Sequence, residues 1–368
     1  MGESIPCPTP TAARVADAYK LRVVDVIDET ADARSVVLEV PEDARDAFAY
    51  KPGQFLTVAV PSDRTGAVAR CYSLSSTPYE TDLLKFTVKR TVEGYGSNWI
   101  NDNLNPGNQL TVLPPSGIFT PASLDADLLL FAGGSGITPV ISIAKSALDQ
   151  GSGTVVLLYA NRDETSVIFA QELTVLAQKH PDRFVVVHWL ESVQGLPTME
   201  HMKAFARHFL SYDAFVCGPG PFMQGVVSAL KELEFPRERR HQEKFISLGG
   251  NPFGDQVEVL DGDEDDEPDG ASAGRSTPAR VMGELDGQEF VFDDWTPNTK
   301  LLDFLIGKGL DAPFSCREGN CSACACRVLE GEVTMLHNEV LDDEDLADGI
   351  RLACQSLPVS DSVRISYQ

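Results

Sequence analysis

Residues 316–331 read CREGNCSACACRVLEG and hold four of the chain's eight cysteines within eleven residues. Three of them follow the spacing C-x4-C-x2-C, and a further cysteine, Cys354, comes after 29 more residues. No apolar leader opens the chain, so we expect a cytoplasmic protein, in which structural disulfides are rare. Such a cluster of cysteines therefore predicts metal binding or thiol chemistry.

This spacing is that of the plant-type [2Fe-2S] ferredoxins, and residues 279–368 resemble such a domain, which has an α+β β-grasp fold. Gly319 and the LACQ segment around Cys354 add to the resemblance. Cys326 does not fit the spacing, and we interpret it as a small buried hydrophobic residue rather than a ligand. The resemblance implies four cluster ligands, Cys316, Cys321, Cys324 and Cys354.

A zinc site is the alternative for the same cysteines. Cys321, Cys324 and His337 begin a zinc-finger spacing, C-x2-C-x12-H. The second histidine is missing, because residues 341–343 are Leu-Asp-Asp, and zinc would leave Cys316 unexplained. The competing hypothesis is a zinc-stabilised interaction module fused to the preceding domains.

Composition bounds the possible partners and the number of domains. The chain has 368 residues, enough for two or three domains of about 150 residues each. Its 55 acidic and 30 basic residues give a net charge of -25, which disfavours binding to nucleic acid or to an anionic membrane. No apolar run reaches the ~20 residues that span a bilayer.

The rhythm of apolar residues divides the rest of the chain. Residues 1–17 are expected to be a flexible tail. Residues 18–121 contain short apolar runs between turns, which predict an antiparallel β-barrel. Residues 122–250 alternate apolar strands with helical stretches such as SVIFAQELTVLAQKH (166–180), which predicts an α/β domain with a parallel sheet. Residues 251–278 are rich in acidic residues and predict a solvated linker, or a docking patch for a basic partner.

The predicted barrel carries RCYS (70–73), then VKR (88–90) and GYGSNW (94–99). Together these motifs resemble the flavin-binding barrel of the ferredoxin-NADP reductase superfamily. The resemblance implies that Arg70 pairs with the FAD pyrophosphate, and that Tyr72 and Ser73 lie at the isoalloxazine ring. The same resemblance implies further FAD contacts from Val88, Lys89, Gly96, Ser97 and Asn98.

Two glycine-rich segments predict the nicotinamide nucleotide site. FAGGSGITP (131–139) follows an apolar strand and opens a helix, where free amides and the helix dipole favour a pyrophosphate. This segment and CGPGPFM (217–223) again resemble the reductase superfamily, which implies nucleotide contacts from Gly134, Ser135, Gly136, Thr138, Gly218 and Pro219. By the same resemblance Cys217 lies near the nicotinamide ring, and HQEKF (241–245) brings Glu243 and Phe245 near the flavin. The predicted catalytic residues are Tyr72, Ser73, Cys217 and Glu243.

The choice between NADH and NADPH is predicted to lie in YANRDETS (159–166). Arg162 would favour a 2'-phosphate, whereas Asp163 and Glu164 would repel one. We expect NADH.

The order of flavin, nicotinamide and ferredoxin domains is shared by a group of oxygenase reductases. Over nearly its whole length the chain resembles the family of reductase components that serve 3-ketosteroid 9-alpha-hydroxylases. That family implies a monomeric reductase that passes electrons from NADH through FAD and the [2Fe-2S] cluster to a Rieske-type oxygenase. The reductase component of phenylacetyl-CoA epoxidase has the same domain order and remains the alternative, as does a reductase for another ring-hydroxylating oxygenase.

Overall fold

The structure is a computed structural model. It describes residues 18–62, 66–80, 82–246, 248, 252–253, 277–285 and 287–367. The predicted tail (1–17) and most of the predicted acidic linker (251–278) lie outside these described residues. Residues 18–248 belong to one compact unit and residues 277–367 to a second. Within the described parts, no helix is long and apolar enough to cross a membrane.

The first unit begins with an antiparallel barrel of six strands. These are β1 (Tyr19–Thr30), β2 (Ala33–Glu39), β3 (Phe55–Ser62), β4 (Gly66–Ser73), β5 (Leu83–Lys89) and β6 (Gln109–Val112), with helix α1 (Tyr95–Asn103) between the last two. The strand order is β4-β3-β6-β1-β2-β5, and a bridge between Leu74 and Phe86 joins the two edges. Alternate side chains such as Leu21, Val36 and Leu56 fill the interior, which confirms the predicted barrel.

The same unit continues with a parallel sheet in the order β11-β10-β7-β8-β9. Its strands are β7 (Leu128–Gly133), β8 (Val155–Asn161), β9 (Phe184–Leu190), β10 (Asp213–Cys217) and β11 (Arg240–Glu243). The helices are α2 (Ile137–Gln150), α3 (Ala170–Lys179), α4 (Glu191–Gln194), α5 (Met199–Ala206) and α6 (Gly220–Glu232). Helices α2 and α3 pack on one face and α5 and α6 on the other, which completes the predicted α/β domain.

The second unit is a mixed sheet in the order β13-β12-β18-β14-β16, with a small β15-β17 pair beside it. Its strands are β12 (Ala279–Leu285), β13 (Gln288–Trp295), β14 (Ala325–Glu330), β15 (Val333–Met335), β16 (Ile350–Leu352), β17 (Ser356–Pro358) and β18 (Ser362–Ser366). Helices α7 (Leu301–Gly307) and α8 (Asp343–Ala347) complete it. The parallel pairing of β12 with β18, covered by α7, is the β-grasp arrangement that the resemblance to plant-type ferredoxins implies.

One predicted helix begins later than expected. The helical pattern starts at Ser166, whereas α3 starts at Ala170. Phe169 has φ +62°, a left-handed conformation that a continuous helix excludes. The buried Val167 and Ile168 therefore enter the core from an irregular segment.

Candidate cofactor sites

The four cysteines with ferredoxin spacing come together in the second unit. None of the four is more than 7% exposed. The sulfur atoms of Cys316 and Cys321 are 3.1 Å apart. Hydrogen bonds with Cys321 and then Cys354 lower the pKa of the Cys316 thiol, while those with Cys316 and Cys324 raise the pKa of Cys354. A buried set of sulfur donors fits an iron-sulfur cluster, which takes four thiolates.

Backbone shape holds the loop that carries the first three of these cysteines. Gly319 has φ +80°, and a Cβ built there would lie 2.6 Å from the carbonyl oxygen of His337. The amide of Glu318 donates to Cys316 Sγ at 3.4 Å. The buried Gln355 donates through Nε2 to the carbonyl of Arg317 at 2.8 Å, so the segment after Cys354 fastens the loop. Only a glycine avoids the clash at 319.

Cys326 and His337, which the ferredoxin spacing does not include, have surroundings different from those of the four cysteines. Cys326 lies on β14 and is 2% exposed, among the apolar residues of the core. The Nε2 atom of His337 is 3.0 Å from Asn320 Oδ1. Among the residues described, no three His, Cys, Asp or Glu side chains surround one metal-ion position. A two-iron cluster needs only two thiolates at each iron, so this arrangement still suits the four thiols.

The predicted flavin residues meet at β4 and the start of α1. A Cβ built on Gly96 would lie 2.9 Å from Arg70 Cγ and 3.5 Å from the Tyr72 hydroxyl. Tyr72 stacks on Phe86 with ring centroids 5.5 Å apart and planes at 18°. Burial raises the pKa of Tyr72, so its hydroxyl stays neutral. Ser73 is buried at the end of β4. Arg70 therefore lies beside Gly96, in the first turn of α1. An arginine next to a helix N-terminus fits a bound pyrophosphate.

Ser97 and Asn98 shape the turn before α1. Ser97 Oγ accepts from the amide of Thr91 at 3.1 Å and donates to the carbonyl of Gly94 at 3.2 Å. Asn98 Nδ2 donates to the carbonyl of Thr91 at 3.2 Å. The first amides of a helix have no acceptor within it and suit an anion. Contact of the two side chains with phosphate stays a prediction.

The two nucleotide loops approach each other backbone to backbone. A Cβ on Gly136 would lie 2.2 Å from the carbonyl oxygen of Cys217, and one on Gly218 would lie 3.0 Å from the Cα of Gly133. Within the first loop, Thr138 Oγ1 donates to the carbonyl of Ser135 at 3.1 Å. The glycines thus place the start of α2 directly against the segment that follows β10. That segment ends at Pro219, the residue before α6.

Tyr159 is a site residue for which sequence reasoning assigned no role. It is fully buried on β8, and its hydroxyl donates to the carbonyl of Gly134 at 3.1 Å. Gly134 has φ +52°, so this bond fixes a left-handed turn in the nucleotide loop. The sequence signal for this role is a tyrosine that directly follows four aliphatic residues, 155–158, in the strand.

Cys217 and Glu243 are paired at the carboxyl edge of the parallel sheet. Burial, and then the neighbouring Glu243, raise the pKa of Cys217 well above its ordinary value, so the thiol is protonated at neutral pH. Burial raises the pKa of Glu243 to about 8. Phe245, two residues later, is 49% exposed. Two polar groups that are mainly protonated at neutral pH therefore lie side by side, and their place beside the nicotinamide and the flavin stays a prediction.

Arg162 has a partner that the sequence does not reveal. Its guanidinium is 3.0 Å from Asp32 Oδ2 in the barrel, and Lys89 Nζ is 3.8 Å from the same oxygen. Val88, next to Lys89, is buried in the barrel core. Asp163 accepts from Ser166 N at 2.9 Å and so caps its own turn. Hydrogen bonds, first from Thr165, lower the pKa of Asp163.

Family comparisons agree with this division of the chain. Three family models match: an oxidoreductase FAD-binding domain over residues 20–120, an oxidoreductase NAD-binding domain over 130–228, and a 2Fe-2S iron-sulfur cluster binding domain over 284–359. The solved structure of phthalate dioxygenase reductase shares the fold, with a TM-score of 0.55 and 23% identity over 95% of this chain and 98% of that one. Fold and sites thus define a three-domain flavin and iron-sulfur reductase that uses FAD, a nicotinamide nucleotide and a [2Fe-2S] cluster.

Relatives narrow the class. The ferredoxin reductase component of 3-ketosteroid-9-alpha-monooxygenase from Rhodococcus rhodochrous is 56% identical over 347 residues, covering 94% of this chain and 96% of the relative. One component of the 1,2-phenylacetyl-CoA epoxidase from Escherichia coli is 29% identical, covering 95% of this chain and 97% of the relative. The chain belongs to the family of 3-ketosteroid-9-alpha-monooxygenase ferredoxin reductase components. The zinc-module hypothesis is not supported, because the segment that would bind zinc matches the iron-sulfur family.

Proposed function

We propose that this chain carries electrons from NADH through FAD and a [2Fe-2S] cluster to a Rieske-type oxygenase that hydroxylates 3-ketosteroids at the 9-alpha position. The observation that carries the proposal is the buried set of four thiols beside a Gly319 turn, in a chain that is 56% identical to a reductase of that system. We further propose that it works as a cytoplasmic monomer, which sedimentation of the purified protein would test.

When bound, FAD would accept two electrons together from the nicotinamide donor and release them one at a time to the iron-sulfur cluster. Arg70, Tyr72 and Ser73 would hold and orient the FAD, and the first amides of α1 would bind its phosphate. The close backbone contact between Gly136 and Cys217 would hold together the two loops that line the nicotinamide site. Burial raises the pKa of Cys217 and raises that of Glu243 to about 8, so these two groups would keep the surroundings of the nicotinamide largely uncharged at neutral pH.

The same proposal assigns the cluster ligands as Cys316, Cys321, Cys324 and Cys354. Changing any one of them to alanine in the full-length protein is expected to abolish labile sulfide and NADH-dependent cytochrome c reduction. Reduction of ferricyanide is expected to survive, because a small acceptor can take electrons from the flavin. Cys326→Ala is the matched control and retains sulfide. Cluster loss in Cys326→Ala together with retention in Cys324→Ala would refute the assignment.

NADH is proposed as the electron donor because the carboxylate of Asp32 already forms an ion pair with the guanidinium of Arg162. With its guanidinium held at 3.0 Å by a carboxylate, Arg162 is poorly placed to attract a 2'-phosphate, and Glu164 adds a further negative charge. The ratio of kcat/KM for NADH over NADPH is expected to exceed tenfold. A ratio below one would contradict this choice.

The oxygenase partner is tested by reconstitution. The reductase is mixed with either a 3-ketosteroid 9-alpha-hydroxylase or a phenylacetyl-CoA epoxidase, and NADH-dependent product is measured across a salt series. Turnover of the steroid alone is expected. Turnover of the CoA thioester alone would reverse the proposal. A net charge of -25 further predicts that coupling weakens as salt rises from 0.1 to 1 M, because the Debye length falls from ~10 to ~3 Å.

A further inference from the structure

A line of buried polar contacts joins the flavin barrel to the nucleotide-binding domain within the first unit. Ser142 Oγ donates to the carbonyl of Ser76 at 2.6 Å, and Ser146 Oγ donates to Thr77 Oγ1 at 3.0 Å. All four residues are at most 6% exposed. Ser142 and Ser146 lie on α2, whereas Ser76 and Thr77 follow β4. Each buried polar group must keep its partner, so these contacts specify one relative placement.

An ion network continues the same line. Glu172 on α3 accepts from Lys145 Nζ at 2.8 Å and from Lys85 Nζ at 3.0 Å. The Lys145 side chain is 3% exposed, and Glu80 approaches it at 3.6 Å. Lys85 also lies 5.0 Å from the ring centre of Phe169. Burial alone would raise the pKa of Glu172, but the two ammonium groups outweigh it and lower that pKa, so the carboxylate is ionised. Hereafter this ion network and the serine contacts are called the interdomain seam.

The seam fastens the elements that end at the two cofactor sites. Lys85 lies on β5 about 13 Å before Lys89 at ~3.3 Å per residue. Lys145 lies on α2 about 12 Å beyond Ile137 at ~1.5 Å per residue. At the far ends, Lys89 Nζ lies 4.0 Å from a Cβ built on Gly134. Strand β5 of the flavin barrel and helix α2 of the nucleotide-binding domain are thus joined by the seam at one end. At the other end Lys89 lies close to Gly134, in the loop before α2.

We propose that the interdomain seam, centred on Glu172, is a positioning device for hydride transfer. It holds α2 against β5 and thereby sets the distance between nicotinamide and flavin. The proposal rests on the proposed use of NADH and FAD. Hydride transfer needs the reacting atoms about 3–3.5 Å apart, and a misplacement of 1 Å caused far from the chemistry can slow a reaction 10²-fold.

The test uses the full-length holoprotein and four variants: Glu172→Gln, Glu172→Gln/Lys145→Met, Glu172→Asp and the control Lys203→Met. Glu172→Gln leaves the buried ammonium of Lys145 with only Glu80 at 3.6 Å and takes the carboxylate from Lys85, which risks misfolding. The double variant Glu172→Gln/Lys145→Met removes both charges and is expected to fold. Lys203→Met is the matched control, because Lys203 pairs with Glu232 at 2.5 Å inside the nucleotide-binding domain alone.

In the double variant we expect wild-type FAD and labile sulfide contents and an affinity for NAD+ within twofold. The rate of flavin reduction by NADH, followed by stopped-flow absorbance, is expected to fall at least tenfold. Glu172→Asp, which keeps the charge, is expected to recover the rate to within threefold of wild type. Lys203→Met is expected to match wild type in every measurement.

Hydrogen exchange on the FAD-free protein supplies a readout that does not depend on turnover. Amides of α2 are expected to exchange faster in the double variant and unchanged in the control. Faster exchange with a wild-type rate of flavin reduction would overturn the proposal and leave the seam a stability element. Loss of FAD from the double variant and from Glu172→Asp alike would overturn it too. Failure of NADH to reduce the wild-type flavin would instead refute the proposed function.

Discussion

Replacing Gly136 with alanine would place a methyl group where two backbone segments already touch. The new Cβ would lie 2.2 Å from the carbonyl oxygen of Cys217 and 2.6 Å from the amide nitrogen of Gly218. Gly136 has φ -60°, which any residue adopts, so the whole cost is steric. Since both contacted atoms belong to the backbone, a side-chain rotation cannot relieve the clash.

The size of the effect follows from the distances. Carbon and oxygen approach to about 3.3 Å, so the two loops must separate by about 1 Å. Such a displacement can cost 10²-fold in rate, which equals ~2.7 kcal/mol of activation free energy. We therefore expect kcat/KM for NADH to fall about 100-fold in Gly136→Ala.

The assay is ferricyanide reduction at varied NADH, with FAD and labile sulfide measured on the same samples. Both cofactor contents are expected to be unchanged, because Gly136 belongs to neither the FAD site nor the cluster site. Gly220→Ala is the control, since a Cβ there has no atom within 4 Å. Wild-type kcat/KM in Gly136→Ala would show that the loops can part without moving the nicotinamide, and the reasoning would be wrong.

Two further changes test the cluster loop and the buried carboxyl. Gly319→Ala (φ +80°, Cβ 2.6 Å from the His337 carbonyl) is expected to lower labile sulfide below half of wild type. Gly309→Ala, at φ +84° with no atom within 4 Å, is expected to keep it, and equal losses would contradict the steric argument. For Glu243, burial raises the folded-state pKa from 4.5 to about 8. The associated stability is present below pH 4.5 and is lost as pH rises through about 8. The Tm of FAD-free wild type is therefore expected to fall more from pH 5 to 9 than that of Glu243→Gln, and parallel curves would show that this carboxyl is ionised throughout.

Local pattern predicted most of the architecture. Apolar alternation located the barrel strands, and the change to strand-helix alternation after Pro121 located the parallel sheet. The cysteine spacing predicted four thiols that the fold does bring together, although Cys354 reaches the others from a distant segment. These features are readable because each depends on residues close in sequence or on a spacing that the chemistry of the cluster dictates.

Long-range pairings could not be read in this way. Nothing near Arg162 indicates that Asp32, 130 residues earlier, holds its guanidinium. The bond from Tyr159 to Gly134 likewise depends on the register between β7 and β8. Phe169 interrupts a helical pattern with a left-handed backbone, and its ring lies 5.0 Å from the ammonium of Lys85, a residue of the flavin barrel. No local sequence pattern identifies the oxygenase partner, which is inferred only from family resemblance.

The position of β18 has a consequence for how the protein is made. This strand lies between β12 and β14 in the sheet, yet it follows all four of the cysteines with ferredoxin spacing in the chain. During synthesis the thiols leave the ribosome before the strand that completes their support. The unit that ends at residue 248 emerges roughly ten seconds earlier at ~10 residues per second. Flavin loading can therefore precede cluster insertion, and iron-starved cells are expected to accumulate a protein that oxidises NADH but delivers no electrons to its oxygenase.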